Sequence, residues 1–133
     1  MKPFNLKIIT PEKLFFEGEA EQLIVKTAVG DIGIMADHVP YVANIVSSPL
    51  RIREGETFKE AAISSGLMRV ANNEVVIVTP AVEWAEDIDV LRAQKAKELA
   101  ERKIRQHESE KEFERAEQKL RRAMNRLVVA GRK

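Results

Sequence analysis

The hydrophobic pattern of this chain changes once, near residue 85, and that change limits the folds open to it. Up to Thr79, short apolar runs are broken by turn residues roughly every eight to twelve positions, as in an all-β domain. From residue 88 to about 106 there is neither Gly nor Pro, and Ala, Leu, Lys, Glu and Arg predominate. This second pattern is typical of a helix. We therefore predict two segregated parts, 1–84 and 85–133.

The first part is predicted to be all-β, as an antiparallel sandwich or barrel. Residues 50–53 alternate between apolar and basic side chains and stop at the turn-like segment 54–56. Asn72 and Asn73 separate two further apolar runs, and asparagine tolerates the positive φ of a tight turn. Of these two architectures we favour a β-sandwich.

The second part is predicted to be a helical hairpin. Asp87 is the expected N-cap of the first helix, whose buried face would comprise Leu91, Ala96, Leu99, Ala100 and Ile104. Residues 106–108 interrupt the pattern. Ser109 then precedes Glu112 by three positions, which is the spacing of a capping box. The apolar stripe of the second helix contains Phe113, Ala116, Leu120, Ala123, Met124 and Leu127, and Gly131 would end it.

Composition excludes several classes of protein. With no cysteine, the chain has neither a disulfide scaffold nor a thiolate metal site. No run of about 18 apolar residues is present, and the N-terminus lacks the apolar core of a secretory signal. We therefore expect a cytoplasmic protein that associates with a membrane only through a partner, without inserting into it.

No catalytic constellation stands out. His38 and His107 lie in different halves of the chain, and no residue spacing indicates a metal site. Residues 30–33 lack the Lys-Ser/Thr ending and the following helix of a phosphate loop. We predict an interaction protein with no catalytic residues, no metal and no required cofactor.

The helical charges are polarised along the chain. Residues 118–133 contain basic residues but no acidic residue, whereas acidic residues dominate immediately upstream. This order suits the helix dipole of a merely solvated helix. It also suits docking to an acidic protein surface or a phosphate. Nucleic acid is disfavoured, because no aromatic residues are interleaved with the arginines.

The first helix opens with Asp89 and Arg92, three residues apart. The simplest interpretation is an intrahelical ion pair. Alternatively, the hairpin would bring both side chains near the basic residues late in the second helix and surround a small anionic ligand.

The whole sequence resembles the epsilon subunit of bacterial F-type ATP synthases. The resemblance rests on the order and spacing of short segments, namely residues 8–12, 30–35, 38–40, 64–66, 73–75, 88–93 and 121–127. It implies a β-sandwich at the foot of the central stalk, bound to the gamma subunit and the c-ring. It also implies a non-catalytic rotor subunit that couples ion-driven rotation to ATP synthesis, peripheral on the cytoplasmic face of the bacterial cell membrane.

The resemblance further implies that the hairpin inhibits ATP hydrolysis when it extends up the stalk toward the alpha and beta subunits. As one helix, residues 88–130 would reach roughly 65 Å at about 1.5 Å per residue. The basic residues expected to meet acidic loops of the beta subunits are Arg115, Lys119, Arg121, Arg122 and Arg126.

Family members with an Ile-Asp-x-x-Arg-Ala motif, here residues 88–93, bind ATP as a regulatory ligand in the folded form. By this resemblance the ATP-binding residues are Glu83, Ile88, Asp89, Arg92, Ala93, Arg115, Arg122 and Arg126. The first helix carries Leu99 where some ATP-binding members have a basic residue. Two other hypotheses remain: a free-standing helical-hairpin adaptor or chaperone, and a nucleotide-hydrolysing enzyme.

Overall fold

The computed structural model describes residues 1–131, in which ten strands precede two helices. The strands are β1 Phe4–Ile9, β2 Leu14–Ala20, β3 Gln22–Thr27, β4 Gly30–Ile34, β5 Tyr41–Ile45, β6 Ser48–Glu54, β7 Thr57–Ile63, β8 Gly66–Ala71, β9 Glu74–Val78 and β10 Val82–Trp84. After a short 3-10 turn, Ala85–Asp87, come α1 Val90–Gln106 and α2 Glu110–Ala130. The predicted β fold followed by a helical hairpin is confirmed.

The strands form two sheets that face each other. One sheet has the order β10-β7-β6-β3-β4 and the other β5-β8-β9-β1-β2. A single residue pair, Thr27 with Ile45, joins them through β3 and β5. The apolar side chains of both sheets meet in one core, in which Leu6, Leu23 and Ile77 are fully buried. This arrangement is a β-sandwich.

The prediction of purely antiparallel pairing is wrong at one place. β1 runs parallel to β9, with Leu6 opposite Val75 and Ile8 opposite Ile77. Alternation of apolar residues shows which face of a strand is buried, but it carries no information on strand direction. A parallel pair cannot be closed by a short turn, so no local signal in the sequence announces it.

Two predicted turns are present as β-hairpins. Asn72 and Asn73 have φ values of 52° and 59° and join β8 to β9. Gly55, with φ 65°, lies in the turn between β6 and β7. Positive φ is accessible to Asn and Gly at little steric cost, so these residues permit turns that fix strand register.

The helix boundaries confirm some of the expected caps and correct one. Ser109 Oγ accepts a hydrogen bond from Glu112 N at 3.1 Å, and Gly131 ends α2 by donating to Leu127 O, as predicted. The N-cap of α1 is Asp89, whose Oδ1 accepts from Arg92 N at 3.0 Å. Asp87 is not the cap, because it lies in the 3-10 turn that precedes the helix.

The buried face predicted for α1 is largely wrong. Leu91 is 75% exposed and Leu99 49% exposed, whereas Ala93 and Ala100 are buried. Ala96 is also exposed, Ile104 is half-buried, and Met124 of the α2 stripe is 48% exposed. Buried alanines recur seven residues apart on each helix, with Ala116 and Ala123 on α2. Small side chains let the two packed helices approach closely, and the larger ones are displaced to the sides.

Across the described residues 1–131, neither helix is long and apolar enough to cross a membrane.

The backbone of Gly66 leaves no room for a side chain. A Cβ atom there would lie 2.6 Å from Val78 O on the neighbouring strand, while one at Gly33 would meet only the flexible Gln22 side chain at 3.6 Å. We expect Gly66→Ala to lower the free energy of unfolding by about 1–3 kcal/mol through overpacking. Gly33→Ala is the matched control and should change it by less than about 0.5 kcal/mol. Urea denaturation measures both, and equal effects would contradict this assignment.

Candidate functional site

The hairpin docks on the sandwich through the C-terminal end of α2. Val129 and Ala130 form a small buried cluster with Ala62 of β7, with Ala85 of the 3-10 turn and with Ile88. These residues are separate from the core of the sandwich. We call this contact, together with the polar bonds described next, the junction.

A buried amide and an ion pair complete the junction. Asn125 is 9% exposed, and its Nδ2 donates to Ser48 O at 2.9 Å and to Ile63 O at 3.2 Å. Beside it, Arg126 Nε donates to Glu83 Oε1, and Arg126 Nη2 lies 3.4 Å from Glu83 Oε2. The two side chains of this ion pair are only 24% and 31% exposed. The junction is therefore small and mixed in polarity.

Between the junction and the tip of the hairpin lies a cleft of about 460 Å³. One wall comes from the sandwich and the other from both helices, so the middle of the hairpin is not packed flat on the sheet. The lining residues are Ser47, Ala62, Ile63, Ser64, Ala81, Val82, Glu83, Ala96, Leu99, Ala100, Lys103, Glu112, Arg115, Ala116, Lys119, Arg122, Ala123, Asn125 and Arg126. Its volume lies within the range of small-molecule binding pockets, roughly 300–1,000 Å³.

One stripe of cations runs along the cleft side of α2. Arg115, Lys119, Arg122 and Arg126 all line the cleft, at spacings of four, three and four residues, which places them on one helix face. With Lys103 of α1 the lining has five basic side chains against two acidic ones. This excess of positive charge, beside apolar walls, suits an anionic ligand with an apolar part.

The structure brings only part of the predicted ATP-binding set together. Glu83, Arg115, Arg122 and Arg126 line the cleft, whereas residues 88, 89, 92 and 93 do not. Ile88 and Ala93 are buried in packing, and Arg92 is exposed. The Asp89 carboxylate caps α1 through its bond with the backbone of Arg92. The predicted Asp89–Arg92 proximity is thus a helix cap, and no ion pair joins these two side chains within the described residues.

The residues predicted to contact acidic beta-subunit loops divide between two faces. Arg115, Lys119, Arg122 and Arg126 face the cleft. Arg121 is exposed and is not among the lining residues.

Among the site residues that were not predicted from the sequence, Lys103 and Asn125 each had a recognisable signal. Lys103 is one turn beyond Leu99, and the i to i+4 spacing of these two lining residues was the available signal. Asn125 was missed because a polar residue within an apolar helix segment looks solvent-exposed. Its signal was Val129, which is apolar and one turn later on the same face.

Within residues 1–131, no three His, Asp or Glu side chains are grouped so that they could hold a metal ion.

A β-sandwich joined to a helical hairpin by a small junction defines a two-part interaction protein, and comparison with known proteins gives its family. Residues 3–85 match the family described as "ATP synthase, Delta/Epsilon chain, beta-sandwich domain". Residues 86–131 match "ATP synthase, Delta/Epsilon chain, long alpha-helix domain". The chain belongs to the ATP synthase delta/epsilon chain family.

Curated relatives match over the full length. An ATP synthase epsilon chain from Ruminococcus albus is 48% identical, covering 100% of both chains. Those of Caldanaerobacter subterraneus and Halalkalibacterium halodurans are 45% and 41% identical, covering 98% and 99% of this chain and 96% and 100% of theirs. The sequence-based identification of the family is confirmed.

Solved structures share the fold at low identity. A chain of the Euglena gracilis mitochondrial ATP synthase (OSCP/F1/c-ring) has a TM-score of 0.84 at 22% identity, over 98% of this chain and 82% of that one. A chain of the Tetrahymena thermophila mitochondrial ATP synthase (central stalk/c-ring) has a TM-score of 0.55 at 15% identity, over 76% and 90%.

Family membership decides between the hypotheses drawn from sequence. The chain is a non-catalytic rotor subunit of an ATP synthase, as predicted. The free-standing adaptor and the nucleotide-hydrolysing enzyme are set aside, because relatives of the same length are named as chains of this complex.

The Glu83–Arg126 ion pair predicts a measurable coupling across the junction. In a double-mutant cycle with Glu83→Gln and Arg126→Gln, we expect a coupling of about 0.5–1 kcal/mol that decreases in high salt, because both groups are partly exposed. The more exposed Glu112–Arg115 pair, at 3.7 Å within α2, is the control and should give no more than about 0.5 kcal/mol. Thermal denaturation measures both cycles. A coupling near zero for Glu83–Arg126 would contradict its role at the junction.

Proposed function

We propose that the sandwich attaches this subunit to the gamma subunit and the c-ring, while the hairpin is a regulatory arm that inhibits ATP hydrolysis when it extends. In this proposal the subunit is peripheral, on the cytoplasmic face of the bacterial cell membrane. The observation that carries the regulatory part is the attachment of the hairpin: it docks through one end of α2, and a cleft separates its middle from the sheet.

The energetics of docking favour a movable arm. The buried apolar part of the junction is mostly alanine and valine, so it removes little apolar surface from water. Larger apolar side chains, including Leu91, Leu99 and Met124, are 75%, 49% and 48% exposed while the arm is docked. An apolar groove along a stalk would bury these side chains and offset the loss of the junction.

The extended arm would present its cations to the catalytic head. At about 1.5 Å per residue, a continuous helix from residue 88 to 130 reaches roughly 65 Å. Arg115, Lys119, Arg122 and Arg126 would form a single positive stripe on it, with Arg121 to one side. Acidic loops of the beta subunits are the complementary surface.

We propose ATP as the ligand that favours the docked arm. The cleft offers cations for a triphosphate and an apolar wall, including Leu99 and Ala96, for a base. A ligand at about a hundred times its Kd stabilises its preferred state by roughly 2.7 kcal/mol. Complete inversion of a 1:99 equilibrium needs roughly 5.5 kcal/mol. ATP would therefore bias a nearly balanced arm, and it is not a required cofactor.

Removal of the arm tests the inhibitory role. The reconstituted F1 head carrying a chain truncated after Glu86 is expected to hydrolyse ATP severalfold faster than the head with the full chain, because the inhibitory helices are absent. Steady-state ATPase rates measure this. The truncated chain must still co-purify with gamma, which controls for loss of the whole subunit. Equal rates with gamma retained would refute inhibition by the hairpin.

Cleft cations are expected to contribute to ATP affinity. Arg122→Ala combined with Arg126→Ala should weaken binding of ATP to the isolated full chain at least tenfold, because two charges facing the ligand are lost. Arg121→Ala removes a charge from the same helix outside the cleft and should change the affinity less than threefold. Calorimetric titration with ATP measures both. Unchanged affinity in the double variant would refute the assignment.

A further inference from the structure

Asn125 lies at the centre of the junction and joins α2 to two strands at once. Its acceptors are the carbonyl oxygens of Ser48, the first residue of β6, and Ile63, the last residue of β7. Ser48 and Ile63 stand opposite each other in the β6–β7 register. A single amide nitrogen thus uses both of its hydrogens to bridge one residue pair of the sheet.

Only a side chain that donates hydrogen bonds suits this position, because both of its partners are carbonyl oxygens. Each carbonyl offers lone pairs, so an acceptor placed at Nδ2 would be repelled by both oxygens. An apolar side chain of similar size would cover the carbonyls without providing a hydrogen bond, and a buried acceptor left in that way is costly. The burial of Asn125 makes this requirement strict, because water has little access to the contact.

The position of Asn125 also fixes the register of α2 on the sandwich. Val129 lies one turn further along the helix in the apolar cluster, and Arg126 beside it reaches Glu83. A shift of α2 by one turn, about 5.4 Å, would remove the amide from both carbonyls. Apolar packing of alanine and valine is less directional and would tolerate several registers.

We infer that Asn125 is the latch of the regulatory arm: its amide holds α2 in the docked register and sets how readily the hairpin leaves the sandwich. This inference rests on the mobile arm of the proposed function and identifies what regulates it. When the arm lifts, water hydrates the amide and both carbonyls, so the net loss is modest and docking remains reversible. A purely apolar contact would lack this directionality.

The test compares two amide-to-carboxylate substitutions on the same helix. Asn125→Asp replaces the donor with an acceptor at the junction, whereas Gln118→Glu makes the same chemical change at an exposed position. Asn125→Leu adds a third variant, which removes the donor without adding charge. Because the chain has no cysteine, spin labels can be attached at cysteines introduced for Glu56 on the sandwich and Lys111 near the hairpin tip, both exposed.

Pulsed electron–electron double resonance on the labelled full chain measures the distance between the two spin labels. The distribution of distances gives the docked and undocked populations. We expect the docked-to-undocked ratio to fall at least tenfold in Asn125→Asp and Asn125→Leu, and to change less than twofold in Gln118→Glu. Hydrogen exchange of β1 and β9, remote from the junction, should be unchanged and so verifies that the sandwich is folded. An unchanged ratio in Asn125→Leu with a folded sandwich would overturn the latch.

The same variants separate this inference from the proposed function. If Asn125→Leu undocks the arm and inhibition of the F1 ATPase increases, both the latch and the inhibitory role of the arm are supported. If it undocks the arm and inhibition does not change, the latch stands and the inhibitory role of the arm fails.

Discussion

Docking of the last turns of α2 on one end of the sandwich is the interaction on which the position of the hairpin and the cleft beneath it depend. It combines a small apolar cluster around Val129, the two hydrogen bonds of Asn125 and the Glu83–Arg126 ion pair. Because these contacts lie at one end of the helix, the remainder of the hairpin stands over a cleft. The same geometry creates the candidate ligand site and confines the attachment of the hairpin to one end of α2.

The balance of forces at the junction explains why a switch is compatible with this fold. Hydrogen bonds and partly exposed ion pairs contribute little net free energy, since water replaces them when they open. The hairpin adds little to the stability of the sandwich, because the sandwich has a continuous buried core of its own. Leu91, Leu99 and Met124 remain exposed in the docked state, so extension would expose only the small junction cluster and the alanines between the helices.

Local chemistry made much of the fold predictable. Asn72 and Asn73 predicted a turn, because asparagine tolerates positive φ. Ser109 predicted a helix start, because its hydroxyl can cap the first turn. Features that depend on distant partners were not predictable. The parallel β1–β9 pair leaves no local signal, and the choice of alanines over leucines for the α1 face depends on how closely α2 approaches.

For the site, the run of basic residues along α2 correctly indicated the cations of the cleft. The residues that lie next to these cations could not be predicted, because they come from distant parts of the chain. Asp89 caps its own helix, and Lys103 joins Arg115 at the same cleft.

Single-molecule Förster resonance energy transfer within the assembled ATP synthase tests the mobile arm most directly. The two dyes are attached at cysteines introduced for Lys26 on the sandwich and Glu108 at the hairpin tip. Both positions are exposed. The account predicts two populations of dye separation, docked and extended, with the docked population increased by ATP. A single separation that is the same with and without nucleotide would contradict it.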